Sequence, residues 1–492
     1  MEDNSLKGKT AKGFMWSSIG YGIQLLIGVI FGIYLARLLS PSDYGMIGLI
    51  QIFGLIASTL QDSGFRIALA NRKEIKHEDY NAVFWFNVCI GITLYIVLYF
   101  LAPYITSFYQ QSEFASRYNL TDLTPLARYF FLGFVISSLG MAHCAYLFRT
   151  LQVKQKAIIT MSSLCISNIV GIAMAYLGYA YWGLATQSLL FSLCNTILFW
   201  YFSKWRPNFN ISFKPIKDMF GFSSKLLITD ICTHTNNNIV AIILGRFFSI
   251  SDVGNFSQAQ KWTNMGSNML VGTIKEVAQP VLREVSEDCE RHKRVFRKML
   301  RLTAFITFPA MLGLSFISRE FILITIKEQW LESIELMQIL CAGAFTIPIQ
   351  HLCLNLVITK ERSDLVMWST ILTGLSQIVG ILLAIPHGIY TMVCIYTLIN
   401  IAWLGIWLYF TKKEIGLRFR EAFIDMAPYA FVAVGAMTAT YYITLGIENL
   451  YFLFIAKVAL AATFYTFFMW VSGSVTFKEC INFILKRNTK SL

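Results

Sequence analysis

Fourteen long apolar stretches leave this chain little choice of fold. They run from about 14 to 36, 45 to 65, 82 to 107, 127 to 148, 158 to 179, 182 to 203, 220 to 244, 255 to 282, 302 to 318, 333 to 358, 365 to 386, 389 to 410, 427 to 446 and 450 to 472. A helix needs about 20 such residues to cross a ~30 Å hydrocarbon core. Backbone in lipid must also satisfy its own hydrogen bonds, so a chain built this way is expected to be an all-α integral membrane protein with fourteen transmembrane helices. Charged residues are only 14% of the sequence, against about a quarter in soluble domains. The first stretch follows Lys7, Lys9 and Lys12 but is too long for a signal peptide and lacks a small-residue cleavage site, so it reads as an uncleaved anchor.

Lysine and arginine set the orientation, because the side rich in them stays cytoplasmic. Placing the N-terminus and alternate loops inside puts 31 of the 41 there, seven of them between 283 and 301. The other side keeps Arg37, Arg117, Arg128, Arg246, Arg319 and Lys327, and four lysines, Lys225, Lys261, Lys275 and Lys457, fall within helices. Both termini are therefore expected in the cytoplasm, in agreement with an even number of crossings. The net charge of +13 follows from this bias toward an anionic inner leaflet, which gives membrane lipids as partners and leaves no argument for nucleic acid. Eight of the ten cysteines fall in predicted helices and Cys289 and Cys480 on the cytoplasmic side, so no disulfide framework is expected.

The chain also repeats itself. "LARLLSPSDYG" at 35 to 45 returns as "LGRFFSISDVG" at 244 to 254, and "NIVGI" at 168 to 172 returns as "QIVGI" at 377 to 381, both displaced by 209 residues. Gln51 and Gln260 share that offset. A period this long, far above the 20 to 50 residues of a solenoid, marks a duplicated lobe. The expected divisions are an N-terminal six-helix lobe at 1–210, a second six-helix lobe at 211–412, and two further helices with a cytoplasmic tail at 413–492. Six is even, so the copies enter the membrane in the same direction and are expected to be related by a pseudo-twofold axis along the membrane normal. The repeated words fall at the external ends of the first and seventh helices. There Ser42 or Asp43, and Ser251 or Asp252, suit a helix cap, and Arg37 with Asp43 and Arg246 with Asp252 are candidates for ion pairs at an external gate.

Polar residues within the stretches show what the interior serves, since each is costly against lipid. In 255 to 282, Gln260, Lys261, Asn264, Asn268, Lys275 and Gln279 recur at helical spacing and share a face. Lys225, Asp230, Thr233 and Asn237 do the same in 220 to 244, Gln51, Ser58, Asp62 and Arg66 in 45 to 65, and Ser17, Gly20, Gln24 and Gly28 in the first stretch. These four faces are candidates to line one lumen, with Lys261, Lys275, Arg66, Lys225, Asn264 and Asn268 as its substrate contacts. Arg66 displaced by 209 is Lys275, which places two cations in equivalent positions near the cytoplasmic ends of their helices. No G-x-x-x-x-G-K-[ST], HExxH or G-x-S-x-G occurs, and no Cys/His set has metal spacing, so neither enzyme nor cofactor is expected.

The words "LKGKTAKGFMWSS", "LARLLSPSDYG", "NRKEIKHEDYNAVFWFNVCIGI", "YWGLA", "SKWRP", "KEQWLESIELMQILC" and "VAQPVL", in this order and spacing, resemble polysaccharide flippases of the multidrug/oligosaccharidyl-lipid/polysaccharide superfamily. The colanic-acid-type exporters among the Wzx-type flippases are most similar, over residues 5 to about 475. The resemblance implies two six-helix lobes facing each other, and transfer of undecaprenyl-diphosphate-linked oligosaccharide from the cytoplasmic to the outer leaflet of a bacterial inner membrane. It also implies lumenal cations that receive the diphosphate and, as partners, polysaccharide polymerase and chain-length machinery. Lys261 and Lys275 fit that pattern by position, whereas the first helix has no Arg or Lys within the membrane, a departure from lipid II flippases. A cation-coupled drug exporter of the same superfamily is the second reading. A membrane glycosyltransferase or polymerase is the third, and the absence of a large external loop speaks against it.

Overall fold

In the computed structural model, residues 6–62, 75–110, 120–150, 152–209, 214–360 and 362–488 are described, and among them every regular element is helical. The chain divides into two compact units, Met1–Gly254 and Asn255–Leu492. The first holds α1 (Leu6–Leu38), α2 (Pro41–Asp62), α3 (His77–Gln110), α4 (Leu123–Ser138), α5 (Met141–Arg149), α6 (Val153–Tyr176), α7 (Ala180–Phe202) and α8 (Lys214–Phe247). It also holds the first turn of α9 (Ile250–Glu284). After α9 the second unit holds α10 (Cys289–Phe316), α11 (Ser318–Ile326), α12 (Leu331–Ala344), α13 (Thr346–Thr359), α14 (Ser363–Ala384), α15 (Ile389–Ile415), α16 (Phe419–Thr444), α17 (Leu450–Val471) and α18 (Val475–Asn488). The units do not follow the division expected from the sequence repeat: α8, expected to open the second lobe, packs on α2 and α3.

Each of the fourteen apolar stretches falls largely on helix over its described residues, 63–65 lying outside them. Among the described residues, eleven spans are long and apolar enough to cross a membrane, and a twelfth is α4 with its preceding turn and α5, bent by 44°. The two remaining stretches are α8 and α9, at 34 and 35 residues amply long but too polar to qualify by composition. The bend between α4 and α5 shows how lipid tolerates a broken helix. Two carbonyls released by the break receive side-chain donors from α7, where Thr196 Oγ1 donates to Ile136 at 3.0 Å and Trp200 Nε1 to Leu139 at 2.8 Å, so these acceptors are not stranded in hydrocarbon.

The stretch at 302 to 318 is longer than its apolar run. α10 begins at Cys289, capped by Asp288, whose carboxylate accepts from Arg291 N at 3.0 Å. The loop expected over 283 to 301 is thus largely its first turns. Four of the seven basic residues there are paired with carboxylates: Arg301 lies 3.9 Å from Asp425 of α16, Arg297 grips the same Asp425 through Nε at 2.6 Å and Nη2 at 3.1 Å, and Lys293 meets Glu421 at 2.9 Å. Lys298 meets Glu479 of α18 at 2.8 Å.

The second repeated word has a visible use. Asn168 on α6 accepts from Gln187 Nε2 of α7 at 2.8 Å, and its counterpart Gln377 on α14 donates to Asn400 Oδ1 of α15 at 3.0 Å. Gly171 and Gly380, three residues on in each copy, sit where the neighbouring helix comes close: an added Cβ would lie 3.1 Å from Gln187 Cβ or 2.6 Å from Ile399 Cδ1. Small residues bring helices together in lipid, and amide pairs fix their register.

Candidate functional site

Helix α9 carries polar residues on two faces. Asn255, Gln258, Trp262 and Thr263 are buried. Asn255 Nδ2 donates to Glu332 Oε2 of α12 at 2.7 Å, Thr263 Oγ1 lies 3.2 Å from Cys341 Sγ, and the Trp262 ring meets Phe321 of α11 edge-on at 5.1 Å. These contacts hold the helix to the second unit by one side. The other side presents Lys261, half-buried, with Asn264 and Asn268 exposed. An exposed face with two amides and an ammonium is not a lipid face, because each group would forfeit its hydrogen bonds there.

The surroundings of Lys261 matter most. Its Nζ lies 5.5 Å from the centroid of the Trp262 ring, and among the described residues no carboxylate stands within ion-pair distance. By contrast, Lys293, Arg297 and Arg301 of α10 and Lys457 of α17 each have an acidic partner. A half-buried cation with no counter-ion among the described residues, flanked by amides that donate and accept, has the chemistry to receive an anion bearing hydroxyl groups.

The remaining candidates are placed as follows. Lys275 keeps the helical register of Lys261 on α9 and Lys225 lies on α8, but their side chains lie outside the described residues, as does Arg66 entirely. In the first unit Asp230, Thr233 and Asn237 are exposed along one face of α8, and Gln51 and Ser58 along α2, against which α8 packs.

At the repeated word the caps differ from expectation. The N-cap positions belong to Ser40 and Ser249, not to Ser42 or Ser251. Asp43 Oδ2 accepts from Ser40 N at 2.8 Å and Ser40 Oγ at 2.7 Å, and Asp43 N donates to Ser40 Oγ at 3.3 Å. Asp252 repeats this with Ser249 at 2.9, 2.7 and 3.1 Å. This is the reciprocal capping box, with aspartate in the place of glutamate, and Asp43 and Asp252 therefore serve the turn from within the helix. Arg37 is exposed, and Arg246 donates to the Phe108 carbonyl with its guanidinium 5.1 Å from the Phe108 ring centroid. The buried face of α9, by contrast, gave no sequence signal distinguishing it from the exposed one, since both carry amides.

Comparison with known proteins places this arrangement. A family model described as polysaccharide biosynthesis protein matches residues 34–335. The chain is 26% identical over 367 residues to lipopolysaccharide biosynthesis protein WzxC of Escherichia coli (strain K12), covering 73% of this chain and 72% of that protein. It is 24% identical over 465 residues to teichuronic acid biosynthesis protein TuaB of Bacillus subtilis (strain 168), covering 90% and 92%. Among solved structures, lipid II flippase MurJ in an inward closed conformation superposes with a TM-score of 0.75 at 15% identity over 95% of this chain and all of that one. An inward-facing multidrug resistance MATE family transporter does so with 0.64 at 16% over 80% and 94%. At such identities the structures share a fold.

Proposed function

Because this chain belongs to the polysaccharide biosynthesis protein family, we propose that it flips a lipid-linked oligosaccharide across a membrane. The cargo is an O-antigen, capsule or exopolysaccharide repeat unit on undecaprenyl diphosphate, carried from the cytoplasmic to the outer leaflet of a bacterial inner membrane by alternating access. Fourteen crossings with both termini cytoplasmic, in two six-helix lobes and a C-terminal pair, are part of this reading, and so are polymerase and chain-length proteins as its neighbours. The observation that carries it is Lys261, a half-buried cation with no carboxylate partner among the described residues, on an exposed, amide-lined helix face.

The physics of such cargo requires that face. A sugar hydroxyl or amide loses a few kcal/mol if it enters hydrocarbon without a hydrogen-bond partner, so the head needs a polar route while its lipid tail stays outside. The diphosphate brings about two negative charges, for which Lys261, and Lys275 fourteen residues further along, supply cations at depths about 21 Å apart. An inside-negative potential favours outward movement of the anion by about 2.3 kcal/mol per charge per 100 mV, so transport needs no nucleotide hydrolysis and the protein acts as a transporter rather than an enzyme. The fold shared with MATE transporters supports a second reading, a cation-coupled exporter, for which Asp62, Asp230 and Glu276 are the candidate carboxylates.

The test is export in a strain lacking its own flippase. The Lys261→Ala, Lys275→Ala double variant should reach normal membrane abundance, lose surface glycan and accumulate lipid-linked precursor inside. Full export by that variant would overturn the assignment.

A further inference from the structure

Inside the first unit, the opening turns of α2 and α9 cross with no side chain between them. A Cβ added to Gly45 would fall onto the carbonyl oxygen of Ile250 and 2.6 Å from Ile250 Cγ2. One added to Gly254 would fall onto the carbonyl oxygen of Pro41, 2.6 Å from that carbonyl carbon and 3.1 Å from Gly45 N. The two contacts are images of each other: Pro41 displaced by 209 is Ile250, and Gly45 displaced by 209 is Gly254. Each glycine thus packs against the first residue of the helix that bears the other. The obstacle to any side chain is backbone, which no rotamer change relieves, and this close approach of Cα to carbonyl is the geometry that only glycine permits in membrane helix crossings.

We infer that this glycine crossing is the external closure of the transport path, and that Gly45 and Gly254 fix the closed state by steric necessity rather than by an ionic gate. The inference rests on the proposed topology, which puts Pro41 and Ile250 at the outer surface. Two helix N-termini, each with partial positive charge, meet at the crossing. The carboxylates of Asp43 and Asp252, held in their capping boxes, sit in those same first turns and offset that repulsion. Alanine at either glycine forces the helices apart, so the externally closed state loses population and the path stays open to the outside.

The reporter is Gln51→Cys, on the exposed side of α2 and six residues, about 9 Å, inward of Gly45. Its labelling by a membrane-impermeant maleimide from outside is read as the difference from the same chain without that cysteine. Gly45→Ala and Gly254→Ala should each raise external labelling at least fivefold and lower glycan export. Gly405→Ala, where an added Cβ meets nothing within 4 Å, should leave both unchanged. If the alanine variants fail to accumulate, the Asp43→Asn, Asp252→Asn pair, which adds no atom to the crossing, should raise labelling about twofold. Unchanged labelling in alanine variants of normal abundance, or in the asparagine pair where those do not accumulate, would overturn the inference. Because labelling does not depend on the cargo, a parent chain that closes and opens but restores no glycan would overturn the functional proposal alone.

Discussion

Lys261 and Lys457 are both lysines within membrane helices, and their neighbours assign them opposite roles. Lys457 is buried, its Nζ donating to Glu320 Oε1 at 2.8 Å and lying 4.7 Å from the Phe316 ring centroid, so it ties α17 to α11. Lys457→Met alone leaves the Glu320 carboxylate buried without its cation and should cost about 3–5 kcal/mol, read as a lower melting temperature of the solubilised protein. Adding Glu320→Gln should recover most of it. Lys261 has no such partner among the described residues, so Lys261→Ala should barely move the melting temperature yet reduce export about tenfold, the weight of one charge-assisted contact. Lys261→Arg should be milder because the charge survives. From sequence the two were alike, as lysines among apolar residues, because the carboxylate that decides between them lies 137 positions away in the chain.

At the scale of elements, helix positions were legible and their partners were not. Period and length locate the long helices, including α8 and α9, whereas the short α11 and α18, neither of which is an apolar stretch of membrane length, were not legible. The caps were misplaced by two residues since Ser40 and Ser42 offer the same hydroxyl, and only the backbone shows that Ser40 precedes the first turn. The basic run in 283 to 301 looked like a loop because charge dominates it, whereas α16 and α18 supply the carboxylates that let it be a helix. That pairing yields an element-scale expectation. Asp425 is buried and holds Arg297 with two hydrogen bonds, so Asp425→Asn should loosen α16 from α10. Hydrogen exchange should quicken over 419 to 444, with little change in α6 and α7 of the other unit. Uniform exchange in both units would mean that α16 is held by its apolar contacts instead.

For the whole molecule the question is which way the chain faces, and the bonds limit the answers. Pro41 and Ile250 meet at one crossing, so α2 and α9 begin on the same side. From Ile250 the 35 residues of α9 reach about 52 Å, more than the hydrocarbon core, so in the proposed fourteen-crossing topology Cys289 lies on the opposite side. Lys293, Arg297 and Lys298 just beyond it bond Glu421, Asp425 and Glu479, which puts the start of α16 and the turns of α18 on that side too. In the proposed orientation, the excess of lysine and arginine assigns the Cys289 side to the cytoplasm. Two positions then decide the orientation. Native Cys289 is exposed and should react with an impermeant maleimide only after permeabilisation, while a cysteine at exposed Phe247, three residues before α9, should react in intact cells. The reverse pattern would invert the protein and with it the direction of transport. Reaction of both from outside would mean that α9 does not cross, and would remove Lys261 from any transmembrane path.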